Sequence, residues 1–248
     1  MAKAGDRPAP IEVVNPAGRS DVVLLCEHAS NHMPAEYGGL GLPGEQLLRH
    51  IAWDISATAM TRRLSALLDA PAFLDTFSRL LIDLNRPLTA PDSIPTASEG
   101  TPIPGNERLA AGEVARRIAV MFTPFHDAVA AHLHARQQEG RPTRLVSIHS
   151  FTPVLFGIAR PWHAGVLFAD AAGLADAILV HLQDPELLVA ANVPYKTDRA
   201  GDYAIPIHGD DRDIPAVMIE IRNDLIDQPR GASEWAVRLS TALGLNAA

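Results

Sequence analysis

The stretch VVLLCEHASN, residues 22–31, decides how this chain is to be read. Val22 to Cys26 is an unbroken apolar block of strand length, rich in β-branched and aliphatic residues. It runs with no turn residue between into Glu27-His28-Ala29-Ser30-Asn31. A buried strand therefore delivers polar side chains at its carboxyl end, the place where open α/β sheets bind their ligands.

Similar short blocks lie further along, at Leu80 to Leu84, Leu145 to Ile148, Val154 to Ile158 and Val217 to Ile221. Helical spacing fills the intervals. It predicts helices over Arg49 to Leu68, Asn106 to Gln138, Asp170 to Leu182, Pro185 to Ala191 and Ser233 to Leu243. Pro124 is expected to break or kink the second. Pro87 to Gly105 and Lys196 to Asp213 are rich in turn residues; the first is long enough for a lid or binding loop. Strands alternating with helices predict a layered α/β domain. With no repeat, low-complexity tract or linker, residues 1–248 are expected to form one domain with its core at about 20–245.

Composition narrows the function classes. Hydrophobic residues make up 47% and charged residues 20%, which excludes disordered and fibrous classes. A net charge of −8 repels phosphate backbones, so no nucleic acid partner is expected, and an acidic ligand would need a locally basic pocket. Cys26 is the single cysteine, so no intramolecular disulfide forms. The first residues lack the apolar core of a secretory signal, and no apolar run approaches the ~20 residues of a membrane span. A cytoplasmic protein with no membrane partner is expected.

Four places join apolar blocks to chemistry. His28 follows the first strand, held either as a loop or capping residue or as a ligand facing a cleft. Asp54 sits in an apolar stretch, where an ionised carboxylate is costly unless paired, metal-bound or satisfied at a helix N-terminus. Asn85-Arg86 ends the Leu80–Leu84 block; its arginine fork suits a carboxylate or a surface salt bridge, while Arg79 reads as structural. His149 follows Leu145–Ile148, and Glu220 lies in mid-strand between Ile219 and Ile221. Desolvation would raise the Glu220 pKa, as a general base requires, whereas an ion pair with Arg222 would lower it. The remaining histidines, among them His32, His50, His126, His163 and His181, read as surface or packing residues.

Five strings together resemble the N-formylglutamate amidohydrolase family: His28-Ala29-Ser30, Ser78 to Arg86, Ile148 to Pro153, Asn192 to Tyr195 and Ile219 to Leu225. That resemblance extends to zinc carboxypeptidases and related deacylases. It implies a three-layer α/β/α fold around a central mixed sheet, zinc carboxypeptidase-like (phosphorylase/hydrolase-like), with a metal at the strand ends. By resemblance His28 and His149 are metal ligands, Glu220 is the general base, and Asn85 with Arg86 binds a substrate carboxylate. One departure stands out: the carboxypeptidase pattern has a glutamate ligand where this chain has Asn31. Asp54 is taken as the third ligand, with Glu27 and Asn31 left open.

The resemblance thus implies one Zn2+ per chain, or another divalent metal, serving an amidohydrolase. It would cleave the N-formyl or another small N-acyl amide of an acidic amino acid such as N-formylglutamate. Arg199 and Arg222 are expected to help hold substrate carboxylates, with Tyr203 or His208 as oxyanion donors on a closing loop. Two rivals share the scaffold: a deacylase or carboxypeptidase-like enzyme of different acyl specificity, and a metal-free small-molecule-binding protein, which Asn31 would favour. Monomer and homodimer are both compatible with the sequence.

Overall fold

A computed structural model describes residues 8–244. Its centre is a seven-stranded mixed sheet in the order β1-β3-β2-β6-β11-β9-β10. The strands are β1 (Ile11–Val14), β2 (Val22–Cys26), β3 (Ala72–Asp75), β6 (Arg144–Phe151), β9 (Ala164–Leu167), β10 (Val189–Ala191) and β11 (Ala216–Arg222). Two short ribbons, β4 (Ala97–Ser98) with β5 (Thr101–Pro102) and β7 (Val154–Leu155) with β8 (Ile158–Ala159), stand apart from it. β3, β2, β6 and β11 run parallel, while β1 at one edge and β9–β10 at the other run against them. Four carboxyl ends therefore open on one rim of the sheet.

Each face of the sheet is covered, which is why the parallel strands are apolar throughout. On one face Val146, Ile148, Val217, Ile219 and Ile221 join α1 (Ala57–Leu68), α4 (Ala172–Leu182) and α5 (Pro229–Gly244), through Met60, Ile178 and Trp235 among others. On the other face Val23, Leu25, Leu145 and Met218 pack with Phe122, Phe125, Val129 and Leu133. Those four side chains come from a continuous helical stretch: α2 (Ala111–Arg117), a π-helical turn at Ile118–Phe122 and α3 (Thr123–Gln138). Burying each such side chain contributes about 1.5–3 kcal/mol. The result is the three-layer α/β fold around a mixed sheet.

Several elements differ from the sequence reading. Leu80 to Leu84 is not a strand but a run of turns. Its side chains join the core on the α2–α3 face of the sheet, and its carbonyl at Leu80 is satisfied by the Asn106 amide, so the apolar run reports burial without a ladder. Val154 to Ile158 is a hairpin whose turn uses Phe156 and Gly157 at positive φ (50° and 76°), and its side chains are exposed. Pro185 to Ala191 is no helix: a turn capped by Asp184 leads into β10, paired with β9. The helix expected from Arg49 begins only at Ala57, after Ser56 in a left-handed conformation, which leaves Asp54 in irregular backbone. At Pro124 the α-helix is interrupted but not ended: a π turn at Ile118–Phe122 separates α2 from α3, and Pro124 lies in the first turn of α3. Among the described residues no helix is long and apolar enough to cross a membrane.

Candidate functional site

Sheet register assembles the site. In the parallel pairing of β11 with β6, Glu220 lies opposite His149, and so on the same face. β2 beside β6 carries Glu27 onto that face, where the Ser147 hydroxyl donates to Glu27 Oε2 at 2.6 Å. His28, one residue later, leaves the strand at the rim. Its carbonyl accepts the Asp54 amide at 2.9 Å, which draws the irregular segment before α1 over the strand ends.

His28, Asp54 and His149 converge there, all buried, with one donor atom from each lying within 4.8 Å of the others. Asp54 Oδ2 is 3.4 Å from His28 Nδ1 and 2.8 Å from His149 Nδ1, and it also accepts the Ser150 amide at 3.2 Å. The far nitrogens are held by other carboxylates: His28 Nε2 by Asp83 Oδ1 at 2.7 Å, and His149 Nε2 by Glu27 Oε2 at 3.1 Å. Arg79 clamps Asp83 Oδ2 at 2.6 and 3.0 Å and reaches Asp54 Oδ1 at 3.3 Å. Outer carboxylates of this kind fix the tautomer so that Nε2 carries the proton and Nδ1 points its lone pair inward.

This donor set fits a metal. His28 Nδ1 is buried and has no hydrogen-bond partner. Two imidazole nitrogens and one carboxylate with further positions open are the ligands of a catalytic zinc site. The buried charges of the cluster also answer one another. Burial alone would raise the Asp54 carboxyl, but the charge of His28 and the hydrogen bond from His149 hold it well below the usual range. Asp83 is likewise held down against its burial, by the Arg79 charge. Burial opposes a charge on His149, yet its bonds to Asp54 and Glu27 push its pKa well up.

Glu220 behaves differently. It is 6% exposed, and burial raises its carboxyl to about 7, the nearby His149 opposing that shift. Its Oε2 is buried without a hydrogen-bond partner, and Arg222 does not pair with it. A desolvated carboxyl of that kind, one strand from a metal-type cluster, is equipped to exchange a proton near neutral pH.

A cavity of about 300 Å³ opens over these groups. Asn85 and Arg86 line it, although Asn85 spends its side chain on the chain ahead: its Oδ1 accepts the Ala204 amide at 3.0 Å and its Nδ2 donates to Asp202 at 3.2 Å. Arg86 donates to the Gly201 carbonyl and meets Asp92 at 3.2 Å. Four expected contributors lie outside the cavity wall. Arg199 is tied to Asp211 on the surface, and Arg222 to Asp224 and the Pro161 and Trp162 carbonyls. Tyr203 and His208 pack with His126 and do not line the cavity.

Other wall residues escaped the sequence reading. Arg79 is part of the charge frame, His50 lines the cavity, and Arg160 and Tyr195 form its far side. Asn31 is not near the cluster: its amide donates to the Leu47 carbonyl at 2.9 Å. The carboxylate that groups with the two histidines is that of Asp54.

Comparisons with known proteins bear on the family and the fold. The description of the N-formylglutamate amidohydrolase family matches residues 20–227. A gene product of Agrobacterium tumefaciens superposes with a TM-score of 0.91 at 39% identity, over 94% of this chain and 93% of that one. An N-formylglutamate amidohydrolase from Ralstonia eutropha has the same fold, with a TM-score of 0.71 at 21% identity over 96% of both chains. No functionally curated protein matches. From the family match, over most of its length, the chain belongs to the N-formylglutamate amidohydrolase family.

Proposed function

We propose that the protein is a metal-dependent amidohydrolase that removes the formyl group, or another small acyl group, from an acidic amino acid such as N-formylglutamate. The observation that carries this reading is the buried His28, Asp54 and His149 group with the unpartnered Glu220 carboxyl on the neighbouring strand. A zinc ion held by those three residues would supply Lewis acidity toward a carbonyl and a water.

The chain's own residues do the rest. Glu220 accepts a proton from the attacking water and returns it to the departing nitrogen, so that amide and water become formate and free amine. Burial raises the Glu220 carboxyl and the nearby His149 opposes it, leaving a group at about 7 that can both take and return a proton near neutral pH. Asp83 and Glu27 hold the two imidazoles in one tautomer and orientation. Arg86, in the cavity wall, meets a carboxylate of the substrate, and Asn85 holds the segment around Asp202 that closes the wall beside it.

A metal-free binding protein is the rival reading; against it stands the buried His28, Asp54 and His149 group, which offers three ligand atoms without Asn31. The test is zinc content of the purified protein, with hydrolysis of N-formylglutamate measured before and after chelation. The expected result is about one zinc per chain, with activity lost on chelation and restored by zinc. Turnover indifferent to chelation would sink the metal role; no turnover by zinc-loaded protein would sink the substrate.

A further inference from the structure

We propose that Arg160, together with the Tyr195 hydroxyl, binds the side-chain carboxylate of the substrate and so sets a preference for dicarboxylic over monocarboxylic N-acyl amino acids. This rests on the amidohydrolase reading above.

Four cations line the cavity: Arg79, Arg86, Arg160 and Lys196. Arg79 is spent on Asp54 and Asp83, Arg86 has Asp92, and Lys196 is exposed. Arg160 differs from all three. It is only 7% exposed, and among the described residues no carboxylate forms a salt bridge with it. Its bonds go to neutral oxygens: Nε to the Thr152 carbonyl at 2.8 Å and Nη1 to the Tyr195 hydroxyl at 2.5 Å.

A cation withdrawn from water without an anion is costly, and such sites are completed by an opposite charge. Here the rings of Phe151 and Tyr195, centred 5.0 and 5.3 Å from the guanidinium carbon, supply part of the compensation and fix the orientation of the fork. Because Nη1 donates to the Tyr195 oxygen, the phenol proton is left to donate elsewhere. Guanidinium and phenol thus present donors to the cavity in an arrangement that suits a planar carboxylate. Arg86 and Arg160 both line the cavity, and Asp92, which meets Arg86, is more than half exposed and can yield to a ligand, so a substrate with two carboxylates finds a cation for each.

The experiment compares N-formylglutamate with N-formylnorvaline, which replaces the side-chain carboxylate by a methyl group, on zinc-loaded wild type, Arg160→Met and Arg160→Lys. The expected result for Arg160→Met is a roughly 100-fold rise in KM for N-formylglutamate, kcat changing little and N-formylnorvaline turnover staying within about threefold. Arg160→Lys, which keeps the charge and guards against a folding failure, should recover part of the affinity. Equal losses on both substrates, or none on either, would overturn the assignment. If wild type turns over neither compound, the amidohydrolase reading fails, and calorimetric titration with glutarate decides the anchor by itself. Binding to wild type that Arg160→Met loses sustains it; equal binding or none overturns it.

Discussion

Asp54 gains its role from what surrounds it: two imidazole Nδ1 atoms, the Ser150 amide and Arg79 meet on one buried carboxylate. The sequence signalled only that an acid stood where acids are expensive. His28, His149 and Glu220 were legible because each follows or occupies an apolar block. Asp83, Glu27 and Arg160 were not, because their meaning lies in partners from distant segments. Each role can be tested separately. Glu220→Gln should lower kcat by roughly 10²–10⁴-fold, with zinc content and KM little changed. Asp83→Asn leaves the three proposed metal ligands in place but removes the charge that orients His28. It should weaken zinc binding about 10–100-fold in a chelator competition.

At the scale of elements, long blocks were readable and short ones were not. β2, β6 and β11 are continuous apolar runs, and their bounds follow from the sequence within a few residues. β1, β3 and β9 have four residues each, too few to show a period, and β10 resembles the end of a helix until its pairing with β9 is seen. Leu80 to Leu84 misled for the opposite reason, since irregular chain buried in the core selects the same residue types as a sheet interior. β9 also depends on Gly165, which lies opposite Glu220 in the antiparallel ladder. A Cβ there would sit 1.6 Å from the Val193 carbonyl oxygen. Gly165→Ala should therefore destabilise the protein by about 2–3 kcal/mol in urea unfolding. Gly112→Ala, in α2 with open space around it, should be neutral or stabilising by up to about 1 kcal/mol.

For the molecule as a whole, the buried imidazole pair outside the cavity wall makes stability depend on pH. Burial, with the neighbouring His208 charge, lowers His126 to about 3, and burial with the Arg212 charge lowers His208 to about 4. Unfolding returns both toward 6.5, so between about pH 4 and 6.5 the unfolded chain binds more protons than the folded one. The stabilisation is complete above pH 6.5 and is lost as pH falls, by up to about 1.4 kcal/mol per pH unit for each imidazole. Asp75, raised by burial, has the opposite sign, because the folded state keeps its proton to higher pH. The double variant His126→Gln with His208→Asn isolates the pair. Its stability should fall less than that of wild type between pH 6.5 and 5, as read by urea midpoints. An equal fall in both would assign the acid sensitivity elsewhere.

His149 and Asp54, which meet in the cluster, stand 95 residues apart in the chain, and the Ser147–Glu27 bond that steadies the same site spans 120. No short peptide contains this site, so a cation cannot nucleate the fold as it does in a zinc finger, where the ligands lie close together. The β2–β6 and β6–β11 pairings must close first, at the slow pace that long-range topology imposes. On the metal-dependent reading, an ion would therefore enter a fold already closed, and stripping it should silence the protein while leaving its architecture standing.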